Sequence, residues 1–429
     1  MKGATSRERP STAHMQTIIL TDLPRKECVR EIFRDGTVQV LSRSGLHPTE
    51  RVLIEALPTT VAGDILIAGN RTGAMGLILA GESPRSAVVQ HVYDIHHAKP
   101  LHRAASLNAP DRLTIVCAPF LPEMPATTLA VIQATSHDTP AELILDQLED
   151  LREKLPAGAV CLVAYDGKPD WLRKQIREIF GSVSATPATQ GITLYRAKKT
   201  SISGGPATEC VMRRVGPHDV RSPHLHAPRT GGGRRNFSAT FPASLPGDPP
   251  LQLTTLPGVF AHRRPDEGGL ALAEVASRDL LPGARVLDLG CGCGLVGLLL
   301  ARHMPVETVF CVDSHARAVH VTAANAQANG LTAVRTFLTD EMPPENDFTL
   351  FVGNPPYYSD FKIAEQFIRT AHQTLRPGGL AFIVAKNHRW HTGFMQTLFG
   401  NVEVIKRRGY GVLKSVRIHN SGFATGRCR

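Results

Sequence analysis

The chain has 429 residues, 42% of them hydrophobic, which suits two or three globular domains better than one. Lys and Arg number 48 against 38 Asp and Glu, a net +10 that favours a polyanionic partner. No run approaches 18 apolar residues, the first 20 lack a secretory layout, and the eight cysteines are unclustered apart from Cys291 and Cys293. These features exclude a membrane-spanning helix, a secretory signal and a disulfide framework, and they suit a reducing cytoplasm.

In chain order, residues 1–39 read as an N-terminal extension and entry segment, and 40–197 as a first domain. Within that domain "ILIAGNRTGAMGLILA" at 65–80 is a strand, a glycine-bearing turn and a helix. Residues 198–250 are dense in Gly, Pro, Ser and Arg without a period of 2 or 3.6, so a linker is expected there. Its Arg213, Arg214, Arg221, Arg229, Arg234 and Arg235 fit either a soluble spacer or a basic arm touching RNA phosphates. Residues 251–420 form a second domain and 421–429 a tail.

The second domain alternates strand and helix. "ARVLDLG" at 284–290 is a strand ending in an acid, "CGCGLVGLLLARHM" a glycine turn running into a helix, and "TVFCVD" at 308–313 a strand ending in a second acid. "FTLFVGNPP", a helix stopped by Pro377 and Gly378, and "LAFIVAK" follow. Such alternation predicts a mostly parallel α/β sheet with ligands at the carboxyl ends of its strands.

The two domains echo each other. With an offset of 221, residues 65–80 and 286–301 are identical at seven of sixteen positions, including Gly69 with Gly290, Gly73 with Gly294 and Gly76 with Gly297. "VYDIHHA" at 92–98 falls under "CVDSHAR", and "IVCAPF" at 115–120 under "FVGNPPY". Two copies of one fold are the simplest account. In the first copy Ile67 replaces Asp288, Arg71 and Thr72 replace Gly292 and Cys293, and Cys117 to Phe120 replace Asn354 to Tyr357. On this alignment Asp94 survives at the place of Asp313, while the acceptor amide is gone. The first copy is read as catalytically silent, serving RNA recognition or structure.

Glycines 290, 292, 294 and 297 allow a tight turn and close approach of a ligand. Asp288 before them would repel a pyrophosphate but tolerate a cationic, amino-acid-bearing ligand. Asp313 stands where the hydroxyls of a ribose would be accepted.

"VLDLGCGCG", an acid ending the next strand and "NPPY" at 354–357 together resemble a class I S-adenosylmethionine-dependent methyltransferase, similar to the ribosomal RNA guanine-N2 methyltransferases. The resemblance implies two tandem Rossmann-like domains with mostly parallel seven-stranded sheets, the N-terminal one degenerate. It implies S-adenosyl-L-methionine as cofactor, held by Asp288, Gly290, Cys291, Gly292, Gly294, Asp313, Ser314, Asp340 and Asn354. Asn354, Pro355, Pro356 and Tyr357 would form the catalytic set, and Phe260, Tyr357, Tyr358 and Lys386 would meet substrate. Gly258, Val259 and Phe260, with Asp266 and Gly268, resemble the family's entry segment, with Ala261 at its usual serine and Tyr357 at its commoner phenylalanine.

An exocyclic amine is a weak nucleophile because its lone pair is delocalised into the ring. Acceptors at the Asn354 side chain and the Pro355 carbonyl would free that pair, on a backbone stiffened by two prolines. Tyr357 would stack on the base. Adenine-N6 or protein glutamine methylation, and a non-catalytic ribosome-assembly protein, remain alternatives. Expected partners are ribosomal RNA, naked or in an assembling subunit, with no metal and no membrane, for a monomer in the cytoplasm.

Overall fold

Runs of Val, Ile and Leu bounded by glycine or an acid form parallel strands buried on both faces, as happens where helices cover both sides of a sheet. The structure, a computed structural model, describes residues 29–33, 37–41, 45–69, 72–200, 234–356 and 361–418. These fall into two compact units that divide at Arg235 and Asn236.

The first unit opens with an antiparallel hairpin of β1 (Val29–Phe33) and β2 (Thr37–Leu41), followed by helix α1 (Pro48–Ala56). Then come β3 (Asp64–Ala68), α2 (Ala74–Glu82), β4 (Val88–Val92), α3 (Ile95–Asn108), β5 (Leu113–Cys117) and β6 (Thr127–Ala134). It closes with α4 (Ala141–Lys154), β7 (Val160–Tyr165), α5 (Pro169–Phe180), β8 (Gly181–Pro187) and β9 (Thr193–Lys199). Its seven-stranded sheet has the order β5-β4-β3-β6-β7-β9-β8, with β9 antiparallel to both neighbours.

The second unit repeats the plan. A hairpin of β10 (Ala239–Ala243) and β11 (Leu251–Thr255) precedes α6 (Glu267–Ala276), β12 (Arg285–Leu289), α7 (Leu295–His303) and β13 (Thr308–Asp313). Next are α8 (Ala316–Ala328), β14 (Val334–Leu338), β15 (Phe348–Gly353) and α9 (Lys362–Thr374). The end is β16 (Leu375–Ala385), α10 (Arg389–Phe399), β17 (Glu403–Arg407) and β18 (Tyr410–Val416). The sheet order, β14-β13-β12-β15-β16-β18-β17, is that of the first unit strand for strand. The predicted pair of mostly parallel seven-stranded sheets is what the structure shows.

The repeat reaches further towards the N-terminus than its apolar pattern revealed, because each copy starts with a hairpin. Val40 of β2 is fully buried in the first core, so residues before position 40 belong to that unit. The linker expected over 198–250 is also narrower: Lys198 and Lys199 end β9, and Ala239–Ala243 is a strand.

Arg234 and Arg235, read as candidates for an RNA-binding arm, instead lie on α4 of the first unit. Arg234 pairs with Asp146 at 3.0 Å and with Asp150 and Glu153 at 3.2 Å, while Arg235 is buried against Glu149 and Gln175. Acids on one face of α4 account for this, since a buried guanidinium requires such partners. Arg213, Arg214, Arg221 and Arg229 lie outside the described residues, as does the 421–429 tail.

Candidate active site

Strand order fixes where a ligand can sit. The chain leaves β12 for β13 on one side and returns to β15 on the other, so the sheet switches direction at β12. Leu289 pairs with Val312 across one edge and Gly353 across the other, which brings Gly290 and Asn354 side by side at the carboxyl end. Asp313 ends β13, Ser314 follows it, Asp340 lies two residues beyond β14, and Lys386 follows β16, exposed. The sequence-predicted cofactor residues therefore share one edge of the sheet.

The glycine turn is held from three sides. Gly290 and Gly294 have φ of +72° and +84°, and a Cβ at Gly290 would come within 2.8 Å of Phe367. Asp288, buried at 2% exposure, accepts the Gly297 N–H at 2.8 Å and so ties β12 to the first turn of α7. Asp313 accepts N–H bonds from Gly292 and His315, each at 2.9 Å. From α8, Thr322 donates to the Gly292 carbonyl at 3.0 Å and Asn325 to the Cys293 carbonyl at 2.9 Å. Neither α8 residue stood out in the sequence; the signal available was a polar pair three apart on an otherwise alanine-rich helix.

Electrostatics favour a positive ligand here. Burial pushes Asp288 up to about 7 against the Gly297 N–H, with Asp313 adding to the rise. Burial likewise raises Asp313 to about 6 despite the N–H groups of Gly292 and His315. Among the described residues neither carboxylate has an ion-pair partner, and a Cβ on Gly292 would meet open space. A cationic ligand lying along the turn would satisfy both acids. Cys291 and Cys293 are buried, and burial lifts Cys293 to about 11, so they pack the turn as neutral thiols and are not nucleophiles. No group of three His, Cys, Asp or Glu suited to a metal occurs among the described residues.

Asn354 is half-buried and its orientation is set. Its Nδ2 donates to Asp266 Oδ2 at 2.8 Å, and the same oxygen accepts the Gly269 N–H at 2.7 Å as the N-cap of α6. With the amide nitrogen engaged, Oδ1 is the end left to face a substrate. Asp266 thus positions Asn354; "PDEGG" holds a signal for the cap but none for its bond to Asn354. Far along α6, buried Glu274 binds Arg407 and Arg408 of the β17–β18 turn and fixes the helix against the sheet. Phe260 is 62% exposed in the loop before Asp266, where Ala261 and Arg263 adopt φ of +55° and +81°. Tyr357 and Tyr358 lie outside the described residues.

Register corrects two sequence assignments in the first unit. Ile67 pairs with Gln90 and Val131, as Asp288 pairs with Cys311 and Val352, so the offset of 221 holds through both sheets. It follows that Val92, not Asp94, occupies the place of Asp313. Cys117 ends β5, an edge strand matching β14, so 117–120 is not the counterpart of 354–357. That counterpart begins at Gln133, and an amide does stand there. "IVCAPF" misled because it copies the proline and ring of "FVGNPPY" on the wrong strand. Gln133 donates to Thr49 at 3.1 Å, and Ala134 and Thr135 replace the prolines.

Comparison with known proteins agrees with this geometry. Residues 250–414 match the methyltransferase small domain. The ribosomal RNA small subunit methyltransferase C of Pseudomonas entomophila (strain L48) is 33% identical over 177 residues, 40% of this chain and 52% of that protein. Its counterpart from Hahella chejuensis (strain KCTC 2396) is 35% identical over 162 residues, 36% and 46% of the two chains. The chain thus spans about half the length of the curated relatives it matches. Among solved structures, the T. thermophilus 16S rRNA N2 G1207 methyltransferase (RsmC), in complex with AdoMet and guanosine, superposes with a TM-score of 0.69 at 20% identity. That alignment covers 91% of this chain and 98% of the other, so both units share its fold. The family likeness thus lies in the second unit, where residues 250–414 match the methyltransferase small domain, and the likeness of fold extends over both units.

Proposed function

We propose that the protein transfers a methyl group from S-adenosyl-L-methionine to the exocyclic N2 amine of a guanine in small-subunit ribosomal RNA. The observation that carries this reading is the Asn354 amide, held by Asp266 with its carbonyl end free beside the glycine turn. The cofactor supplies a methyl already activated on a sulfonium. Buried Asp288 and half-buried Asp313, both raised in pKa, suit its positive charge, and the Asp313 carboxylate suits ribose hydroxyls. Asp340, two residues beyond β14, would accept from the adenine amine.

On the substrate side, Asn354 Oδ1 and the Pro355 carbonyl accept from the amine and bring its lone pair into line with the methyl. Their gain comes from positioning and preorganised acceptors. Phe260, Tyr357, Tyr358 and Lys386 complete the reading on the side of the RNA. The names of the relatives support the small subunit over the large one. The first unit, without an acid at Ile67 or Val92 and without prolines after Gln133, serves recognition or structure. The enzyme acts as a monomer in the cytoplasm, and no described helix is long and apolar enough to cross a membrane.

The test is transfer of tritiated methyl from S-adenosylmethionine to ribosomal RNA from cells lacking the gene, followed by nucleoside analysis. Label in N2-methylguanosine, reduced about 100-fold or more by Asn354→Ala, is expected. Label in N6-methyladenosine would overturn the choice of base, and no label on RNA or on assembling subunits would overturn the activity.

A further inference from the structure

Beside the amine-binding strand end, the second unit carries three aromatic rings stacked in a row. Phe361 lies over Trp390 with centroids 4.7 Å apart and planes 12° apart, and Trp390 lies over Phe394 at 5.2 Å and 6°. A stacked pair also occurs in the core, where Phe310 lies over Phe337 at 5.2 Å and 5°, but there one ring is fully buried and the other half-buried, whereas this row ends in an exposed ring. The outermost ring, Phe361, is 42% exposed, and its backbone sits at φ +63°, a left-handed conformation costly for a residue with a Cβ. A fold that needed only to start α9 would use glycine or asparagine there. The strain holds an apolar ring in water.

Location and charge narrow what that ring meets. Phe361 follows Asn354 by seven residues, which span at most about 25 Å. Helix α9 is anchored at the glycine turn, because Phe367 packs where side chains at Gly290 and Gly353 would otherwise lie. Around the row, Lys362, Lys386 and Arg389 are exposed, and Arg369 lies 5.1 Å over Phe394 while paired with Glu365 at 2.7 Å. A flat ring flanked by cations beside a site for one base suits a second base and its phosphates.

We infer that Phe361, backed by Trp390 and Phe394, is a stacking platform for an unpaired nucleotide next to the methylated one. This rests on the proposed activity for the word methylated, but the platform is an RNA-binding element whether or not transfer occurs. The base adds a fourth layer to the row, and its backbone runs past the cations towards Asn354.

The chain has two tryptophans, Trp171 in the first unit and Trp390 in the platform, so Trp171→Phe leaves Trp390 as the sole reporter. The probe is a nine-nucleotide unstructured RNA with one central guanosine, titrated into the Trp171→Phe protein and into the same protein carrying Phe361→Gly or Phe361→Tyr. Stacking predicts quenching of Trp390 by the RNA and about tenfold weaker binding in Phe361→Gly, with affinity restored in Phe361→Tyr. Glycine fits the left-handed position, so Phe361→Gly should melt no lower than its parent. S-adenosylmethionine affinity and kcat should stay within twofold while KM for RNA rises about tenfold.

Equal RNA affinity for Phe361→Gly and its parent would overturn the inference. So would an effect of Phe361→Gly seen only on assembling subunits and not on the oligonucleotide, since the platform would then meet a protein. Binding that depends on Phe361, with no guanine methylation of ribosomal RNA or of assembling subunits, would leave the platform standing and refute the activity instead.

Discussion

The two units share a sheet order and a register, yet they differ at nearly every residue that would touch a ligand. Their common feature is instructive. Asn108 at the end of α3 accepts the Gln39 N–H at 2.8 Å and donates to the Gln39 and Ala104 carbonyls, each at 2.7 Å. Asn329 at the end of α8 does the same with Gln252 and the Asn325 carbonyl. In both copies one amide clasps the hairpin strand that precedes the domain. Four and seven residues earlier the copies part: Asn325 and Thr322, which hold the glycine turn of the second unit, become Ala104 and Leu101 in the first. Asp288 becomes Ile67, Asp313 becomes Val92, and Asp266 becomes His47. Groups that close the fold are repeated, while the acids at Asp288 and Asp313 and the polar pair on α8 give way to apolar side chains.

The comparison is most directly tested at Asp266. Asp266→Ala removes the group that fixes the Asn354 amide, and a misaligned acceptor should lower kcat about 100-fold while barely changing RNA affinity. His47→Ala, at the matching cap of the first unit, should leave kcat unchanged and cost about 1 kcal/mol of that unit's stability. Steady-state kinetics on ribosomal RNA together with melting of each variant separates the two. Equal losses of kcat would mean that the first unit is not silent.

A second difference is electrostatic. Asp288 has a folded-state pKa of about 7, above its unfolded value near 3.8. A raised pKa adds stability below about pH 4 that is lost as pH rises through 7, because the buried carboxylate must then ionise. Asp288→Asn keeps an acceptor for Gly297 and has no charge to bury. It should be more stable than the parent by about 2 to 4 kcal/mol at pH 8 and nearly equal to it at pH 4. Melting monitored by Trp390, with Trp171 replaced by Phe, reads this unit alone. A difference independent of pH would show that Asp288 stays charged in the fold. The first unit, with Ile67 at that place, should lack this dependence.

Asn325→Ala makes the second unit resemble the first at Ala104. It removes bonds to the Cys293 carbonyl and to both backbone groups of Thr254 in a buried setting. A loss of about 2 kcal/mol is expected. S-adenosylmethionine affinity, measured by calorimetry, should fall about tenfold as the turn loosens. An unchanged affinity would assign the turn's shape to its glycines and Thr322 alone.

What the sequence disclosed follows the same division. The sheet was legible because apolar strands, glycine turns and helices recur with a fixed offset, and Asp288, Asp313 and Asn354 were legible because each sits where a strand ends. Asp266 was visible only as part of the entry segment, and its bond to Asn354 joins residues 88 apart and exists only in the fold. Thr322 and Asn325 were hidden because buried polar residues on a helix carry no periodic mark. The alignment of Cys117 to Phe120 with the Asn-Pro-Pro-Tyr motif failed because local likeness cannot tell an edge strand from a central one. Hydrogen-bond register can, and it placed Gln133 there instead.

The smallest expected effect tests the shared feature. Asn108→Ala and Asn329→Ala each remove one donor–acceptor clasp from an edge strand that water can partly rehydrate, so each should cost about 1 kcal/mol. Trp171 reports the first unit when Trp390 is replaced by Phe, and Trp390 reports the second when Trp171 is replaced, so the two losses can be read separately in one chain. Nearly equal values would establish the clasp as a property of the fold, indifferent to whether its copy performs chemistry. If Asn108→Ala lowered methyl transfer by more than its unfolded fraction at the assay temperature, the clasp of the first unit would be tied to turnover. The division between a structural copy and a catalytic copy would then have to be redrawn at that residue.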